Sequence, residues 1–531
     1  MTKASWHVAR GIFQSKRVLI HSFTIGVVFI LATSLWLFMA GHVAFNDDQW
    51  IHFQPISCKL FPGGELHHAS FREPCGEKDL FLFGFRLPLR AYTYIGVGWA
   101  VFFLPFWLIF QSPIALHICT GTLWILNSIV MSRLLNAPWA LVTCVVMMSV
   151  PVFSQHLVDT GPFSWQFLMV QLAVLGVLRA IASPSVWHTI VISCMAGVAG
   201  FLAFEEKGFV IHAGPAASIL FLSGYIRRSC ADNPNQRRTS LKIIGVITLT
   251  VAVAFAVTFE YVNLKTISGS RYRDDLLRLA DSYSSQTFER WLQHSRELYS
   301  TFVLFPSSFF HRVYGFPLPE SPMFLREIIM LSLGVASLLL WERKWRQLGL
   351  FALAVALGVM NFFWISHSRE SWAGHHVVYA HVVVFIGLAI ALAELLPKFI
   401  WLVYPITGYL LFVQLPSYTA IAQQKPMTHS DPTRQELFNL ADDPKFASEH
   451  VVVHLSWGTF FQDALFGPKS QIVIWTNNAN DPAVRALANK TGRKLAFIRM
   501  RGDILSEGIS QERGWKTVAV SSSGLWELRE E

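Results

Sequence analysis

Residues 18–49 read VLIHSFTIGVVFILATSLWLFMAGHVAFNDDQ, and this stretch decides the class of fold. No Asp, Glu, Lys or Arg interrupts it from Val18 to Phe45, and two adjacent carboxylates, Asp47 and Asp48, then follow at once. A run that long exceeds the roughly 20 residues needed to cross a bilayer. It is also longer than the apolar region of a signal peptide, and no small-residue cleavage site follows, so it is expected to be a retained first transmembrane helix. Lys3, Arg10, Lys16 and Arg17 precede it and place its leading end in the cytoplasm.

The rest of the 531-residue chain agrees. It is 53% hydrophobic and 15% charged, whereas soluble domains carry about 25% charged residues. Mean hydropathy is +0.41. The aromatic fraction, 14%, suits rings anchored at the headgroups. The net charge of +9 does not indicate nucleic acid, because the basic residues cluster at the ends of apolar runs and form no stripe on a polar face.

Further apolar runs of crossing length lie at about 113–134, 138–156, 161–181, 186–204, 209–226, 243–262, 326–341, 348–365, 376–397 and 399–416. One more, 92–110, contains Gly96, Gly98 and Pro105 and is ambiguous. Charge decides its status. If it does not cross, Arg133, Arg179, the cluster from Arg227 to Lys242, the cluster Arg343/Lys344/Arg346 and Lys398 all fall on the cytoplasmic side. The expected fold is therefore mainly α: a polytopic bundle of about eleven crossings plus juxtamembrane helices. Residues 1–420 form the membrane domain with outer loops 46–91 and 263–325, and 421–531 form a soluble, non-cytoplasmic α/β domain. In that last part, strand-like runs at 450–456, 471–475, 494–499 and 517–520 alternate with helical patterns at 460–466 and 482–491. It contains no Gly-rich phosphate loop, Cys/His metal set or nucleophile elbow, and is expected to cover the outer membrane face or to help recognise an acceptor.

The chemistry-bearing residues gather at the non-cytoplasmic turns. Asp47 and Asp48 sit where the first helix leaves the membrane. A carboxylate at that interface can carry a raised pKa and act as a base, or ligate a divalent cation through oxygen. The same residues also fit a solvated, capped helix end. Asp159 lies at the next outer turn, before Gly161-Pro162; it can pair functionally with Asp47/Asp48, or cap the helix that begins there. Glu205, Glu206 and Lys207 separate two apolar runs, either as a solvated turn or as contacts for a polar substrate. Arg369, with His375 and His376, is placed to grip a phosphate leaving group or a lipid headgroup. The stretch 274–299 has the apolar spacing of a helix lying on the outer leaflet. Cys58 and Cys75 share the first outer loop, in a compartment that permits disulfides, and are expected to form a bridge or to remain free thiols.

The order of these features resembles the GT-C superfamily of membrane glycosyltransferases, in its protein-mannosyltransferase and aminoarabinose-transferase-like branch. The residues that carry the resemblance are Asp47 and Asp48 after the first helix; Tyr94, Ile95 and Gly96 leading to Leu104, Pro105 and Phe106; and Asp159 before Gly161-Pro162. The likeness covers most of 18–265. It implies a juxtamembrane helix after the first loop, a polyprenyl-phosphate sugar as donor, and a lipid, glycan or protein acceptor. It further implies that an acid at the Asp47/Asp48 position activates the acceptor and that the anomeric carbon is inverted. The chain departs from the pattern in having two acids followed by Gln49, and His117 near the family's usual arginine. No organic cofactor is expected, and a divalent cation at the Asp47/Asp48 carboxylates is the one candidate. The expected setting is the bacterial inner membrane, multi-pass, with the active site facing the periplasm or exterior. The competing expectation is a transporter or flippase of lipid-linked glycans, which would place charges near the bilayer midplane and repeat its broken helices.

Overall fold

The computed structural model describes residues 79–82, 84–88, 90–92, 95–96, 98–111, 114–135, 161–181, 185–206, 234–265, 287–298, 323–366, 432–441, 443–455, 472–475, 482–501 and 515–531, with single positions at 34, 56, 412 and 419.

Two short antiparallel ribbons open this set: β1 (Asp79–Leu82) with β2 (Phe85–Pro88), and β3 (Arg90–Tyr92) with β4 (Ile95–Gly96). Helix α1 (Gly98–Phe110) follows immediately. Its 13 residues span about 20 Å at 1.5 Å each, short of a hydrocarbon core of roughly 30 Å. Helices α2 (Ile114–Leu135), α3 (Gly161–Ile181), α4 (Val186–Glu206) and α5 (Pro234–Lys265) form the main packed group. Among the described residues, three segments are long and apolar enough to cross a membrane: Ser164–Ile181, Val186–Glu206 and Gly245–Val262. α3 begins with Pro162 in its first turn, where the missing N–H costs nothing, and ends with Arg179 in the last turn, where a cation meets the helix dipole.

Contacts along the helices fix their directions. Gln166 Nε2 donates to Ala203 O (2.7 Å), while Thr189 Oγ1 donates to Ala180 O (3.3 Å), so α3 and α4 run antiparallel. Phe201 and Phe204 both meet Phe255, and Phe204 also meets Phe259, so α4 and α5 run parallel. A methyl group on Gly197 would lie 2.7 Å from Ala254 Cβ, which is how closely those two backbones approach. Between α2 and α3, Asn127 Nδ2 donates to Ser164 O (2.9 Å) and Gln171 Nε2 to Asn127 Oδ1 (2.7 Å). Asn127 is thereby paired through both its amide groups, Nδ2 also donating to Leu123 O (2.9 Å), whereas Gln171 Oε1 is buried without a partner. On α5, Val246, Leu249, Val253 and Val257 form an exposed stripe pointing away from α4; in water such a stripe would be a liability, and in lipid it is ordinary.

Beyond α5 lie α6 (Phe288–Leu298), α7 (Met323–Trp341) and α8 (Trp345–Ser366). α7 and α8 form a hairpin closed at Glu342–Lys344. Arg343 takes a left-handed backbone there (φ 54°), and Lys344 N–H bonds back to Leu339 O (2.8 Å). Trp341 and Trp345 flank this basic turn and are exposed, as rings at a headgroup layer would be. Of the helix expected across 274–299, Phe288–Leu298 is helical and Thr287 before it is not, while 274–286 lie outside the described residues. Trp291 differs from the leaflet-facing role its spacing suggests: its Nε1 donates to Phe363 O (2.9 Å) and its ring meets the Phe363 ring edge-on, docking α6 on the end of α8.

The C-terminal part is a three-layer α/β unit. Helices α9 (Pro432–Ala441) and α10 (Pro444–Glu449) lead into β5 (His450–His454). β6 (Ile472–Trp475), α11 (Pro482–Thr491), β7 (Lys494–Met500), β8 (Lys516–Val520) and β9 (Trp526–Glu530) complete it. Strand order is β6-β5-β7-β9-β8, parallel through the first three and antiparallel thereafter. β5 is buried along its whole length, as befits a parallel strand covered on both faces. Val451, Val453, Leu495 and Phe497 pack under α11; Val452, Ala496, Ile498 and Leu528 pack under α9. Asp443 caps α10, its Oδ1 accepting from Lys445 N (3.0 Å) and Phe446 N (3.1 Å). The strand and helix runs at 450, 472, 482, 494 and 516 were legible as patterns; α9, α10 and β9 are additions.

Candidate functional site

The site with the most unusual chemistry among the described residues is the last turn of α4. Glu205 is 3% exposed and Glu206 is 0% exposed. The sequence reading places both in a turn between apolar runs; they instead belong to the helix and are sunk into the protein. The reason is the segment Gly96–Trp99. Glu206 Oε2 accepts the backbone N–H of Trp99 at 2.8 Å. That N–H belongs to the first turn of α1, whose donors have no partner within their own helix, so a carboxylate there satisfies the donor and complements the positive end of the dipole.

Two glycines make the approach possible. A methyl on Gly96 would lie 2.5 Å from the carbonyl oxygen of Glu205 and 2.7 Å from Glu206 Cα. A methyl on Gly98 would lie 2.7 Å from Trp165 Nε1 and 2.9 Å from Glu206 Oε2. The end of α4 is therefore pressed onto the Gly96–Gly98 backbone. Trp165, on the first turn of α3, converges on the same spot; its ring packs against Phe102 (5.4 Å) and its Nε1 is buried without a hydrogen-bond partner. Below it, Trp99 stacks on Phe103 (5.0 Å), and both are fully buried. The start of α1, the start of α3 and the end of α4 thus meet at one end of the bundle. The arrangement offers a buried carboxylate pair and an indole donor beside a backbone surface bare of side chains.

Of the residues singled out from sequence, Glu205 and Glu206 lie here. Asp47, Asp48, Asp159, Lys207, Arg369, His375, His376, Cys58 and Cys75 lie outside the described residues. Trp165, Trp99 and the buried Gln166 were not singled out. The signal that points to them is the Gly-x-Gly-Trp run at 96–99, which spares two side chains where backbones must touch.

Replacing Glu206 by alanine takes away the carboxylate that Trp99 N–H donates to, at a cost of about 1–3 kcal/mol for a buried donor. Replacement by glutamine keeps an acceptor oxygen. The expected result is a clearly lowered melting temperature for Glu206→Ala and a smaller drop for Glu206→Gln, read in detergent. Equal melting of both variants with wild type would contradict the anchoring role.

Fold and site together define a mainly helical protein with membrane-length apolar helices, a buried acidic corner at one end of them and a small C-terminal sheet flanked by helices. No protein-family model matches the chain, and no curated protein matches it. Solved structures similar to it include the following two. One is ArnT from Cupriavidus metallidurans bound to undecaprenyl phosphate, 11% identical, covering 96% of this chain and 98% of that one with a TM-score of 0.47. The other is the Archaeoglobus fulgidus oligosaccharyltransferase in complex with zinc and sulfate, 12% identical, covering 95% of this chain and 72% of that one, also at 0.47.

Proposed function

We propose that the chain is a membrane glycosyltransferase that moves a sugar from a polyprenyl-phosphate donor to an acceptor on the non-cytoplasmic side. The observation that carries this reading is the convergence just described. A helix too short to cross follows the first loop, at the position where the resemblance places a juxtamembrane helix. It is clamped to the start of α3 and the end of α4. Asp159 precedes α3 by two residues in the sequence. Lys207 directly follows Glu206. The start of α3 and the end of α4 lie at one end of the bundle, which supports a site shared by Asp159, Glu205, Glu206 and Lys207.

In the proposed reaction Asp47 or Asp48 takes the proton from the acceptor O–H or N–H. The acceptor atom bonds to the anomeric carbon from the face opposite the phosphate. The bond from that carbon to the phosphate oxygen breaks, and polyprenyl phosphate leaves with the electron pair. Arg369, His375 and His376 offset the charge that develops on the departing oxygen. Asp159 holds the acceptor, and Lys207 with the Glu205/Glu206 corner lines the polar side of the sugar.

The parallel course of α4 and α5 puts the end of α4 and the start of α5 at opposite ends of the bundle. We infer that 209–226 crosses between them and, by the same charge pattern, that the chain makes about eleven crossings. The buried corner then faces outward, towards the periplasm if the membrane is a bacterial inner membrane. On a background with the native cysteines replaced, a cysteine at 235 is expected to resist a membrane-impermeant maleimide in intact cells, and one at 470 to react. The reverse labelling would invert the site.

The direct test of function is chemical. Membranes containing the protein are given polyprenyl-phosphate sugars, and release of free polyprenyl phosphate is measured together with glycan analysis of envelope lipids and proteins from cells with and without the gene. Sugar-dependent release and a missing glycan are the expected results. Unchanged glycans, with translocation of a lipid-linked glycan in their place, would favour a flippase.

A further inference from the structure

We propose that the C-terminal α/β unit carries a phosphate-binding site formed by Arg499, Arg501 and Arg529 around the buried carboxylate of Glu527. Arg499 and Glu527 are direct partners in the β7–β9 register. Arg501 lies two residues beyond Arg499, and Arg529 two beyond Glu527, so strand alternation brings all four to one face of the sheet. Glu527 Oε1 accepts from Arg499 through both Nε and Nη2. Arg501 Nε lies 3.5 Å from Oε2, and Arg529 Nε lies 3.9 Å from Oε1, beyond hydrogen-bond reach.

Arg529 is the informative member. Its side chain is 18% exposed, and its Nε and Nη1 are buried without a hydrogen-bond partner. Removing a guanidinium from water without giving its donors acceptors is costly, and native interiors leave few such groups unexplained. Glu527 cannot supply the acceptors, because Arg499 already occupies Oε1. Glu531 is also engaged, its carboxylate meeting Arg485 Nη1 at 3.1 Å. Among the described residues, three guanidinium charges meet one carboxylate, a formal surplus of +2. A phosphate monoester, carrying about −1.5 to −2 at pH 7 and three acceptor oxygens, matches both the surplus charge and the empty donors; a carboxylate matches only half the charge. Arg501, with its side chain 53% exposed, leaves the cluster open to solvent on one side. The bidentate donors of arginine suit this anion better than point charges would. The inference does not depend on the transfer reaction proposed above.

The phosphate has two possible sources, a lipid headgroup or a soluble phosphorylated group, and one experiment separates them. Full-length protein in detergent is titrated calorimetrically with inorganic phosphate. Saturable binding is expected for wild type, at least tenfold weaker for Arg529→Gln and several-fold weaker for Arg501→Gln. Should Arg529→Gln fail to fold, Arg501→Gln decides, since its exposed side chain makes no hydrogen bond that the fold needs. The titration is then repeated in phosphatidylcholine nanodiscs with and without phosphatidic acid. Competition by phosphatidic acid assigns the site to a lipid phosphate; undiminished binding assigns it to a soluble one. No binding to wild type, or equal affinity in wild type and the folded variants, would overturn the proposal.

Discussion

Asparagine at both Asp47 and Asp48 is expected to abolish sugar transfer while the protein still inserts and accumulates normally. The amide is nearly the size of the carboxylate but cannot accept the acceptor's proton, so the loss is one of chemistry and leaves packing alone. Positioned general bases contribute about 10²–10⁴-fold to rate. Each single variant is expected to lose activity too, and the more severe one identifies the base; a variant that binds donor normally but does not turn over marks the proton acceptor itself. Two single variants and a double variant that all retain full transfer would remove these carboxylates from the mechanism, and the reaction would then need another base at the same end of the bundle.

Gly96→Ala is expected to produce the largest structural effect of any single methyl group in the described part of the chain. The added carbon meets backbone atoms, Glu205 O at 2.5 Å and Glu206 Cα at 2.7 Å, which no rotamer change can clear. Overpacking of this kind costs about 1–3 kcal/mol and occasionally more. It would also push the start of α1 off the end of α4, lengthening the Glu206–Trp99 bond on which the corner depends. Melting temperature and transfer should therefore fall together. Gly98→Ala, whose new atom meets side-chain tips on Trp165 and Glu206, is expected to be milder. Gly334→Ala on α7 supplies the control: nothing lies within 4 Å of the added carbon, and alanine favours a helix interior over glycine by about 1 kcal/mol. If Gly96→Ala and Gly334→Ala melted alike, the close approach of α4 to β4 would be wrong.

These expectations differ in how much of their basis can be read along the chain. The ends of α3 and α11 are written locally, in Gly161-Pro162 and Arg179 for one and in Pro482 for the other, and the sequence pattern matches the observed helices closely. The burial of Glu206 is not written locally. Its partner, the N–H of Trp99, is 107 residues away, so two acids between two apolar runs look like a solvated turn until the chain is folded. β9 was missed for a related reason. Trp526-Glu527-Leu528-Arg529-Glu530 alternates with the period of a strand, but its charges resemble a polar tail until Arg499 is seen opposite Glu527. Trp291 has the spacing of a lipid-facing residue, yet its indole nitrogen finds a backbone oxygen on α8, a distant contact that outweighs periodicity.

The directions of α3, α4 and α5 also carry a consequence for biogenesis. As consecutive antiparallel neighbours, α3 and α4 can pair as soon as both have left the ribosome, with a short link and little loop entropy to overcome. α5 joins them in the same orientation as α4, so its docking must await 27 intervening residues. The α3–α4 hairpin is therefore the natural co-translational nucleus of this half of the protein. The acidic corner at its tip is completed by α1, a segment synthesised earlier, so the corner can close only once that hairpin is in place.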